Sequence, residues 1–593
     1  MTEESSLVEL FENTCERHAV SPALGRKVEK AFEWISYAEL RAKVARARQL
    51  LLALGLRSGE SVAVIADNCV EWAVLCYATA SVGAVFVPLY SAQSADDWIY
   101  VINDCNARLC FVENHAIQAS LLLERGRLPD GIQLISLKGE RGAPGDLAVR
   151  LSELDGEPPP PYFPASTDLA AIIYTSGTTS RPKGVELTHA NIVTNAVVGA
   201  LEFPLDSRDR SLSFLPWAHA LGQTIDLHLL LRLGVAIAIN DCIAHLLHNL
   251  ALAKPTVIIA VPRVFGRIYD NVGRQLARKP RAVRALFDRG IAIGIKRQNG
   301  GRLSLIERGL FGLVDGLLFS KVRQRFGGNL RFAICGSAAL NREIAEFVTA
   351  LGIQLYEGYG LTECSPVVSV NTPNLRRFGT VGPPLRGTRI QIDLGNSSDS
   401  LVGEIVVSGP SVMRGYHGLP DETAAVLSAD GALRTGDLGY LDDAGCLVIR
   451  GRIKEQFKLE NGEYVAPSPI EERIKLSPLV SQCLIFGDDR PHCVALIVPD
   501  WEHLLDLLSS ENLSLEAMAK APEVVRAVKL DVDRLCRDFR HFERPKRVLL
   551  LPEDFTVANG LLTPSQKLRR KEIILRYAGE IAASFKASTP REG

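Results

Sequence analysis

The sequence predicts an α/β protein built from at least two domains, and three observations lead to this prediction. The chain has 593 residues, which exceeds the size at which one hydrophobic core stops growing. Strand-like and helix-like segments alternate through most of the chain, as is typical of parallel βαβ units. After Gly451 and Arg452 the chain carries a further pattern of strands and helices of its own.

The hydrophobic pattern predicts the individual elements in chain order. Helices are expected at residues 40–54 and 71–82, and a long helical segment is expected at 269–325. Short apolar runs between turn residues predict buried strands at 61–65, 84–89, 110–112, 170–175, 256–261 and 330–335. Beyond Gly379 a small β-rich subdomain is expected, with strands at 389–392, 404–408 and 446–450.

The chain offers two candidate connections between these parts. A proline-rich passage at residues 155–164 is expected to act as a spacer before the strand at 170–175. We place the domain boundary near residue 450, which gives an N-terminal domain of residues 1–450 and a C-terminal domain of residues 451–593.

Composition and charge exclude several classes of protein. Lys and Arg total 67 against 68 Asp and Glu, so no nucleic-acid partner is expected for the whole molecule. The 12 cysteines form no CxxC pair, which indicates reduced thiols and a cytoplasmic protein. The N-terminus, MTEESSLVEL, is acidic and lacks the features of a signal peptide. Residues 72–95 are uncharged, but Gly83 and Pro88 favour a helix, a turn and a buried strand over a membrane span.

The string YTSGTTSRPKG, from Tyr174 to Gly184, is rich in glycine and hydroxyl side chains. It follows a predicted strand and precedes a helical pattern that begins near Thr188. A strand–loop–helix of small residues lets backbone N–H groups close around phosphate oxygens, and Lys183 adds a positive charge. The spacing differs from that of a Walker loop. The alternative is a flexible surface turn.

Three further strings contain glycine at the ends of predicted strands. In GYGLTE (358–363) a ring can stack on adenine, a hydroxyl can reach a phosphate and a carboxylate can hold Mg²⁺. In CGSAA (335–339) small side chains let a flat ring or an acyl chain approach the backbone. In RTGDLG (434–439) a carboxylate can accept two hydrogen bonds from a ribose. Each string alone is also typical of a tight turn.

The YTSGTTSRPKG string resembles the phosphate-binding signature of the adenylate-forming (AMP-binding) superfamily, whose usual form is YTSGTTGxPKG. Ser180 stands where that family has glycine; a positive φ there would cost on the order of 1 kcal/mol. Six blocks in the family's order extend the resemblance from Leu7 to Arg570. The strings FKLENGEYVAP and NGLLTPSQKLRR most resemble those of the long-chain fatty acyl-CoA synthetase branch.

The resemblance implies roles for individual residues. The implied ATP- and AMP-binding residues are Thr175, Ser176, Gly177, Thr178, Thr179, Lys183, Gly336, Ser337, Ala338, Tyr359, Gly360, Asp437 and Arg452. The implied catalytic residues are Lys567, Thr362 and His219, with Lys454 as the interdomain hinge and Glu363 as the metal ligand. For His219 and Lys567 the alternatives are a core histidine and ordinary surface charge.

The same resemblance implies a fold and an activity. The N-terminal domain would comprise two βα subdomains and the β-rich subdomain, followed by a small, mobile α+β C-terminal domain. The activity would be ATP-dependent activation of a medium- or long-chain fatty acid to acyl-AMP and then acyl-CoA, using ATP, Mg²⁺ and CoA. Alternatives within the family are an aryl or short-chain acid–CoA ligase and an acyl–acyl carrier protein synthetase. An alternative of another class is a non-catalytic nucleotide or acyl-AMP sensor.

One basic segment stands out in a chain of nearly zero net charge. From Arg274 to Arg325 there are thirteen Lys and Arg residues against three acids. The sequence favours a solvated helical insertion for this segment. The alternative is contact with an anionic membrane surface, which would place the protein at the inner face of a membrane. The sequence predicts no oligomeric state.

Overall fold

A computed structural model describes residues 4–138, 146–175, 181–298, 300–338, 340–395, 401–508, 514–563 and 567–586. It is a mixed α/β structure with several sheets and a separate C-terminal domain, which confirms the predicted fold class. Among these residues no helix combines the length and the apolar character needed to cross a membrane.

Residues 4–201 alternate strands and helices. The strands are β1 (Pro22–Val28), β2 (Ala31–Ser36), β3 (Ser61–Ile65), β4 (Val85–Leu89), β5 (Ala107–Asn114), β6 (Gln133–Lys138), β7 (Leu169–Thr175) and β8 (Lys183–Thr188). The helices are α1 (Leu7–Arg17), α2 (Tyr37–Ala53), α3 (Val70–Ala80), α4 (Ala95–Asp104), α5 (His115–Leu123), α6 (Leu147–Ser152) and α7 (His189–Leu201).

Residues 202–370 continue the alternation and include the long helical segment. The strands are β9 (Arg210–Ser213), β10 (Ala236–Ile239), β11 (Val257–Ala260), β12 (Phe332–Cys335), β13 (Gln354–Gly360) and β14 (Val367–Val370). The helices are α8 (Leu230–Arg232), α9 (Leu246–Ala253), α10 (Pro262–Ala277), α11 (Arg281–Gln298), α12 (Leu305–Val314), α13 (Ser320–Gln324) and α14 (Arg342–Ala350). Segments of π-helix, Gly222–Leu229 and Asp315–Phe319, lead into α8 and α13.

The remainder of the chain contains shorter elements. The strands are β15 (Arg389–Asp393), β16 (Gly403–Ser408), β17 (Gly415–Tyr416), β18 (Leu433–Leu441), β19 (Leu447–Arg452), β20 (Phe457–Lys458), β21 (Tyr464–Val465), β22 (Val480–Phe486), β23 (Val494–Pro499) and β24 (Arg547–Leu550). The helices are α15 (Pro420–Ala424), α16 (Pro467–Ile474), α17 (Trp501–Leu508), α18 (Leu515–Lys520), α19 (Pro522–Cys536), α20 (Arg570–Arg576) and α21 (Ala578–Lys586).

Two α/β layers and an antiparallel sheet form the N-terminal part. One sheet has the order β17-β8-β7-β4-β3-β5-β6. β3 is the central strand of its parallel part, β7-β4-β3-β5-β6, and is buried at all five positions, as expected of parallel strands covered on both faces. The second α/β part contains the sheets β2-β1-β10-β9 and β11-β12-β13-β14. The β-rich subdomain is the antiparallel sheet β15-β16-β18-β19.

The hydrophobic cores separate the C-terminal part from the rest. The largest core joins the two α/β parts; in it Trp72 packs edge-on against Phe86 at 4.9 Å and lies 5.5 Å from Trp217. From Leu459 onward most buried apolar residues belong to two other clusters, built around β22, β23 and β24, whereas the half-buried Leu476 packs against the largest core. The boundary near residue 450 stays a prediction.

Candidate active site

The phosphate-loop sequence joins two antiparallel strands, so the expected strand–loop–helix arrangement is wrong. β7 ends at Thr175 and β8 begins at Lys183, and these two residues are paired across the hairpin. The segment after the loop is a strand because its alternating Val185 and Leu187 are buried against the same apolar cluster as β7. α7 begins at His189 with Thr188 as its N-cap, so the predicted start of the helix near Thr188 is confirmed.

The structure does not describe the middle of the predicted phosphate loop. Ser176, Gly177, Thr178, Thr179 and Ser180 lie outside the described residues. Because β8 follows this loop, the positive end of a helix does not follow it directly. The string has two described cations: Arg181 lies over the Tyr100 ring, and Lys183 lies over the Tyr416 ring.

Two residues from the segment 415–422 hold Lys183. Its ammonium lies 5.0 Å from the centre of the Tyr416 ring, within the range of a cation–π contact. It is also ion-paired with Glu422. The pKa of Glu422 is lowered, chiefly by this hydrogen bond and the charge of Lys183, and further by Lys454. β17 brings Tyr416 to this position because it pairs antiparallel with β8.

Tyr416 also contacts Glu363, the predicted metal ligand. The Tyr416 hydroxyl donates to Oε1 of Glu363 at 2.9 Å. A short 3-10 helix, Thr362–Cys364, carries Glu363, and its backbone carbonyl accepts from Met413 N at 2.8 Å. Among the described residues Oε2 of Glu363 has no hydrogen-bond partner. A half-buried carboxylate with one committed and one uncommitted oxygen fits Mg²⁺, which typically takes one or two carboxylates and substrate phosphates.

Asp437 joins Tyr359 and Arg452 into one cluster. Tyr359 Oη donates to Oδ2 of the buried Asp437 carboxylate at 2.6 Å, and Arg452 Nε donates to Oδ1 at 2.8 Å. Asp437 and Arg452 are also cross-strand partners in β18 and β19. Burial and then the Asp437 charge raise the pKa of Tyr359, so its hydroxyl stays a donor. A carboxylate has about four acceptor positions, so two remain for a ligand's hydroxyl groups.

Strand ends β12 and β13 form a second wall of the cleft. A Cβ added at Gly336 would lie 3.3 Å from Leu221 Cδ2, and one at Gly360 would clash with Pro366 O at 2.0 Å. Ser337 has a left-handed φ of 71°, which turns the chain away from β12 before Ala338. Close approach of the neighbouring backbone therefore requires a glycine at position 360, whereas Gly336 is in a tight but side-chain-lined position.

His219 lies on the segment that leads into the π-helix Gly222–Leu229. Its Nδ1 accepts from Leu221 N at 3.2 Å, which places the proton of the neutral ring on Nε2. Burial, and then the charge of Lys567, lower the pKa of His219 to about 4, so the ring is neutral at pH 7.

Lys567 reaches the cleft from the C-terminal part. Its backbone N–H donates to Thr563 Oγ1 at 3.0 Å and its carbonyl accepts from Thr563 N at 2.8 Å. The surrounding protein and then the Arg452 guanidinium lower the pKa of Lys567. The Glu363 and Asp437 carboxylates act in the opposite direction. The side chain still contacts solvent, so Lys567 lies in an open cleft and not in a core.

Three features meet in one cleft: the polar cluster around Asp437, the Lys567 side chain from the C-terminal part, and the glycine-containing ends of β12 and β13. Residues 11–417 match the family model described as AMP-binding enzyme, and residues 454–589 match that of the AMP-binding enzyme C-terminal domain. The chain belongs to the AMP-binding enzyme family.

Relatives within this family cover nearly the whole chain. "Long-chain-fatty-acid--CoA ligase FadD15" of Mycobacterium bovis is 32% identical over 583 residues, which is 94% of this chain and 94% of its own length. The human "Long-chain-fatty-acid--CoA ligase 1" is 32% identical and covers 97% of this chain and 86% of its own length. Long chain acyl-CoA synthetase 7, peroxisomal, of Arabidopsis thaliana is 32% identical, with 97% and 86% covered.

Solved structures agree on the fold. The adenylation domain of a carboxylate reductase from Mycobacterium chelonae has a TM-score of 0.78 at 23% identity, covering 98% of this chain and 91% of that chain. ATP-bound MatB from Rhodopseudomonas palustris has a TM-score of 0.72 at 24% identity, with 96% and 99% covered. At these identities the likeness concerns the fold alone.

Three residues in contact with this cleft were not predicted from the sequence. Tyr416 and Glu422 contact Lys183, and the buried Glu357 carboxyl accepts from Leu340 N at 3.2 Å beside Gly358 in β13. Burial raises the pKa of Glu357 to about 8. An aromatic residue between glycines in MRGYHG was the available signal for Tyr416, whereas nothing local marks Glu422 or Glu357.

Proposed function

We propose that this chain uses ATP to convert a medium- or long-chain fatty acid to acyl-AMP and then to acyl-CoA. The observation that carries the proposal is the position of Lys567, whose charge interacts with Arg452, Glu363 and Asp437 across the cleft. The relatives named above, all called long-chain-fatty-acid–CoA ligases or long-chain acyl-CoA synthetases, support the acyl substrate.

Adenylation requires two anions to meet, so charge neutralisation and positioning are the main tasks. In the proposed step a carboxylate oxygen of the fatty acid attacks the α-phosphorus of ATP, an O–P bond forms, and the bond to pyrophosphate breaks. Lys567 would neutralise the charge between the carboxylate and the α-phosphate, with the Thr362 hydroxyl at the same phosphate. Lys183 and the loop hydroxyls would hold the β- and γ-phosphates. No side-chain nucleophile is needed.

The nucleoside would be held by the cluster around Asp437. Its two remaining acceptor positions suit paired ribose hydroxyls, and the Tyr359 ring suits stacking on adenine. Gly336, Ser337, Ala338 and Gly360 would let adenine and the acyl group approach the backbone closely. The neutral His219, with its Nε2–H, would donate to the acyl carboxylate.

Glu363 would hold Mg²⁺ through Oε2, since Tyr416 already occupies Oε1. When bound, Mg²⁺ supplies neutralisation of charge on the triphosphate oxygens. Tyr416 keeps the carboxylate oriented toward the cleft and its ring beneath Lys183.

Thioester formation would follow once Lys567 leaves. The CoA sulfur attacks the acyl carbonyl, a C–S bond forms, the bond to AMP breaks and the thiol proton is released. We propose that residues 451–593 rotate for this step about Lys454, which is exposed in the 3-10 helix Ile453–Glu455 directly after β19.

Pyrophosphate release measured across acids of graded chain length, with benzoate as an aryl acid, tests this function. Hydroxamate trapping then identifies the activated acid, and CoA is compared with an acyl carrier protein as acceptor. We expect release to peak with medium- or long-chain acids and CoA to be acylated. Release with benzoate or acetate alone would support an aryl or short-chain acid–CoA ligase, and transfer only to the carrier protein would support an acyl–acyl carrier protein synthetase. No release with any acid would support a non-catalytic nucleotide or acyl-AMP sensor.

We also propose that the enzyme is cytoplasmic and contacts the inner face of a membrane through the segment from Arg274 to Arg325. Most of its bases have no acidic partner among the described residues; those without one include Arg278, Lys279, Arg281, Arg284, Arg289, Arg302, Arg308 and Lys321. Salt-sensitive flotation with anionic liposomes would support this contact, and absence of binding at low salt would contradict it.

A further inference from the structure

An unbroken helical rod runs from Leu305 to Gln324, through α12, the π-helical turn and α13. It starts at a capping box: Ser304 Oγ accepts from Glu307 N at 3.2 Å, and Ser304 N donates to Glu307 Oε2 at 2.8 Å. The rod lies within the basic segment.

The inner face of this rod is firmly packed. Val314 and Phe319 are fully buried, and the Phe319 ring lies 5.2 Å from Phe287 and 5.9 Å from Phe311. This apolar face accounts for the attachment of the rod to the rest of the protein. Apolar residues on the opposite, outer face are therefore not needed to attach the rod.

The outer face is apolar as well. Leu305 is 84% exposed, Ile306 82%, Leu313 51% and Leu317 52%. Helical spacing places these four residues on one face, with exposed glycines at 309, 312 and 316 between them. We call this face the outer stripe; it extends about 18 Å at 1.5 Å per residue. A surface helix normally has a polar outer face, and contiguous exposed apolar residues mark an interaction site.

Charged residues border the outer stripe but do not interrupt it. Arg308 and Lys321 lie at its edges and have no acidic partner among the described residues. The rod's own acids are neutralised, because Glu307 is bonded to Lys296 at 2.8 Å and Asp315 to Arg323 at 2.6 Å. The stripe is therefore surrounded by net positive charge.

We propose that the outer stripe inserts into the surface of an anionic lipid bilayer, with the rod parallel to the membrane plane. This rests on the membrane contact proposed above and names the residues that enter the lipid. Apolar side chains flanked by bases match the acyl boundary and the phosphate groups of such a surface. A second copy of this chain fits the stripe poorly, because an isologous contact would bring two basic surfaces together.

Flotation with vesicles of phosphatidylglycerol and phosphatidylcholine tests the insertion on the full chain. The test variant is Leu313→Ser with Leu317→Ser, and the matched control is Leu123→Ser, a leucine 87% exposed on α5. We expect the double variant to bind about tenfold more weakly or worse at low salt, because each leucine loses its burial in lipid. The control should bind as the wild type does. Pyrophosphate release with a water-soluble medium-chain acid should be equal in all three proteins.

Each other outcome overturns the insertion in a recognisable way. If the wild type fails to bind at low salt, both the contact and the insertion are wrong, whatever the activity. If the double variant binds like the wild type, the contact is purely electrostatic and the insertion is wrong. If sedimentation shows a wild-type dimer that the double variant loses, with vesicle binding unchanged, the stripe is an interface between copies. As a second readout, Leu313→Trp fluorescence should be quenched by brominated lipid, whereas Leu123→Trp fluorescence should not.

Discussion

Tyr359 and Arg452 bond opposite oxygens of the same carboxylate, that of Asp437, although they lie on different sheets. Tyr359 Oη reaches Oδ2 at 2.6 Å and Arg452 Nε reaches Oδ1 at 2.8 Å. The carboxylate thereby links β13 of the second α/β part to the β-rich subdomain and to the start of the C-terminal part. A nucleotide bound at this carboxylate would therefore affect the second α/β part, the β-rich subdomain and the C-terminal part.

Asp437→Asn is expected to weaken ATP binding by about one to two orders of magnitude. The amide cannot accept from both Tyr359 and Arg452, so one donor is left unpaired, which costs on the order of 1–3 kcal/mol. Isothermal titration with ATP measures this. Tyr359→Phe keeps the ring and removes one donor, so it should lose less. Equal affinity for Asp437→Asn and wild type would exclude Asp437 from the nucleotide site.

Lys567→Ala should separate the two half-reactions. Removing a cation placed at the attacked phosphate should reduce pyrophosphate release by about 10²–10³. Conversion of supplied acyl-AMP and CoA to acyl-CoA should continue, because the proposed second step does not use this lysine. Lys571→Ala, an exposed lysine on α20, is the control and should behave as wild type. Equal loss of both half-reactions would remove the role assigned to Lys567.

Stability should fall as the pH rises from 6.5 to 8, partly through Asp226. Burial raises the pKa of this carboxyl to about 7, against a smaller opposing effect of Ser213, which donates to Oδ2 at 2.5 Å. The folded protein thus holds a proton that the unfolded chain releases near pH 3.8. The stabilisation is complete below that pH and is lost as the pH rises through about 7.

Asp226→Asn removes this titration while keeping a neutral, similarly shaped group. Between pH 6.5 and 8 the melting temperature of Asp226→Asn should decline less than that of the wild type. The corresponding difference in the free energy of unfolding is on the order of 1 kcal/mol. Buried histidines with lowered pKa values, about 4 for His189 and His219, raise stability as the pH rises through their ordinary value of 6.5. Because wild type and Asp226→Asn share these histidines, the difference between their pH curves isolates Asp226. The exposed Asp421→Asn is the control. Parallel pH curves for Asp226→Asn and wild type would contradict the prediction.

Much of the α/β framework follows from local sequence. The apolar run at 61–65 specifies β3 because five buried residues between turns fit a central parallel strand. By contrast, β8 was missed, since its short alternation lies between the phosphate-loop string and a capped helix and was interpreted as part of the loop. The sequence leaves both faces of α12 apolar, so periodicity alone cannot tell which one packs on the core.

The cleft was predictable where motifs carry it and unpredictable where pairing of distant strands creates it. Asp437 and Arg452 were found through their strings, and the structure places both in one cluster. Glu422 lies 239 residues from Lys183 and meets it only because β17 pairs with β8. Such contacts depend on tertiary geometry that no local pattern encodes.

Glu422→Gln should tighten ATP binding about two- to fivefold. Glu422 is ion-paired with Lys183, so a polyphosphate must displace this carboxylate to use the lysine. The pair is half exposed, and exposed pairs contribute little, which limits the gain. Titration with a non-hydrolysable ATP analogue measures it, and Asp421→Asn is the neighbouring control. Weaker binding by Glu422→Gln would show that the carboxylate positions Lys183 for the nucleotide and does not compete with it.

Tyr416→Phe should weaken divalent-metal binding in the presence of ATP while leaving the ring beneath Lys183. The substitution removes the hydroxyl that donates to Glu363 Oε1 at 2.9 Å, so the carboxylate loses the bond that orients Oε2 toward the cleft. We expect the half-saturating Mn²⁺ concentration, followed by electron paramagnetic resonance, to rise about three- to tenfold, in line with the loss of a partner that orients a metal ligand. Metal-free nucleotide binding should change little, because the cation–π contact at 5.0 Å is retained. If Mn²⁺ binding is unchanged while metal-free ATP binding falls, Tyr416 acts through Lys183 alone and Glu363 is oriented by its 3-10 helix.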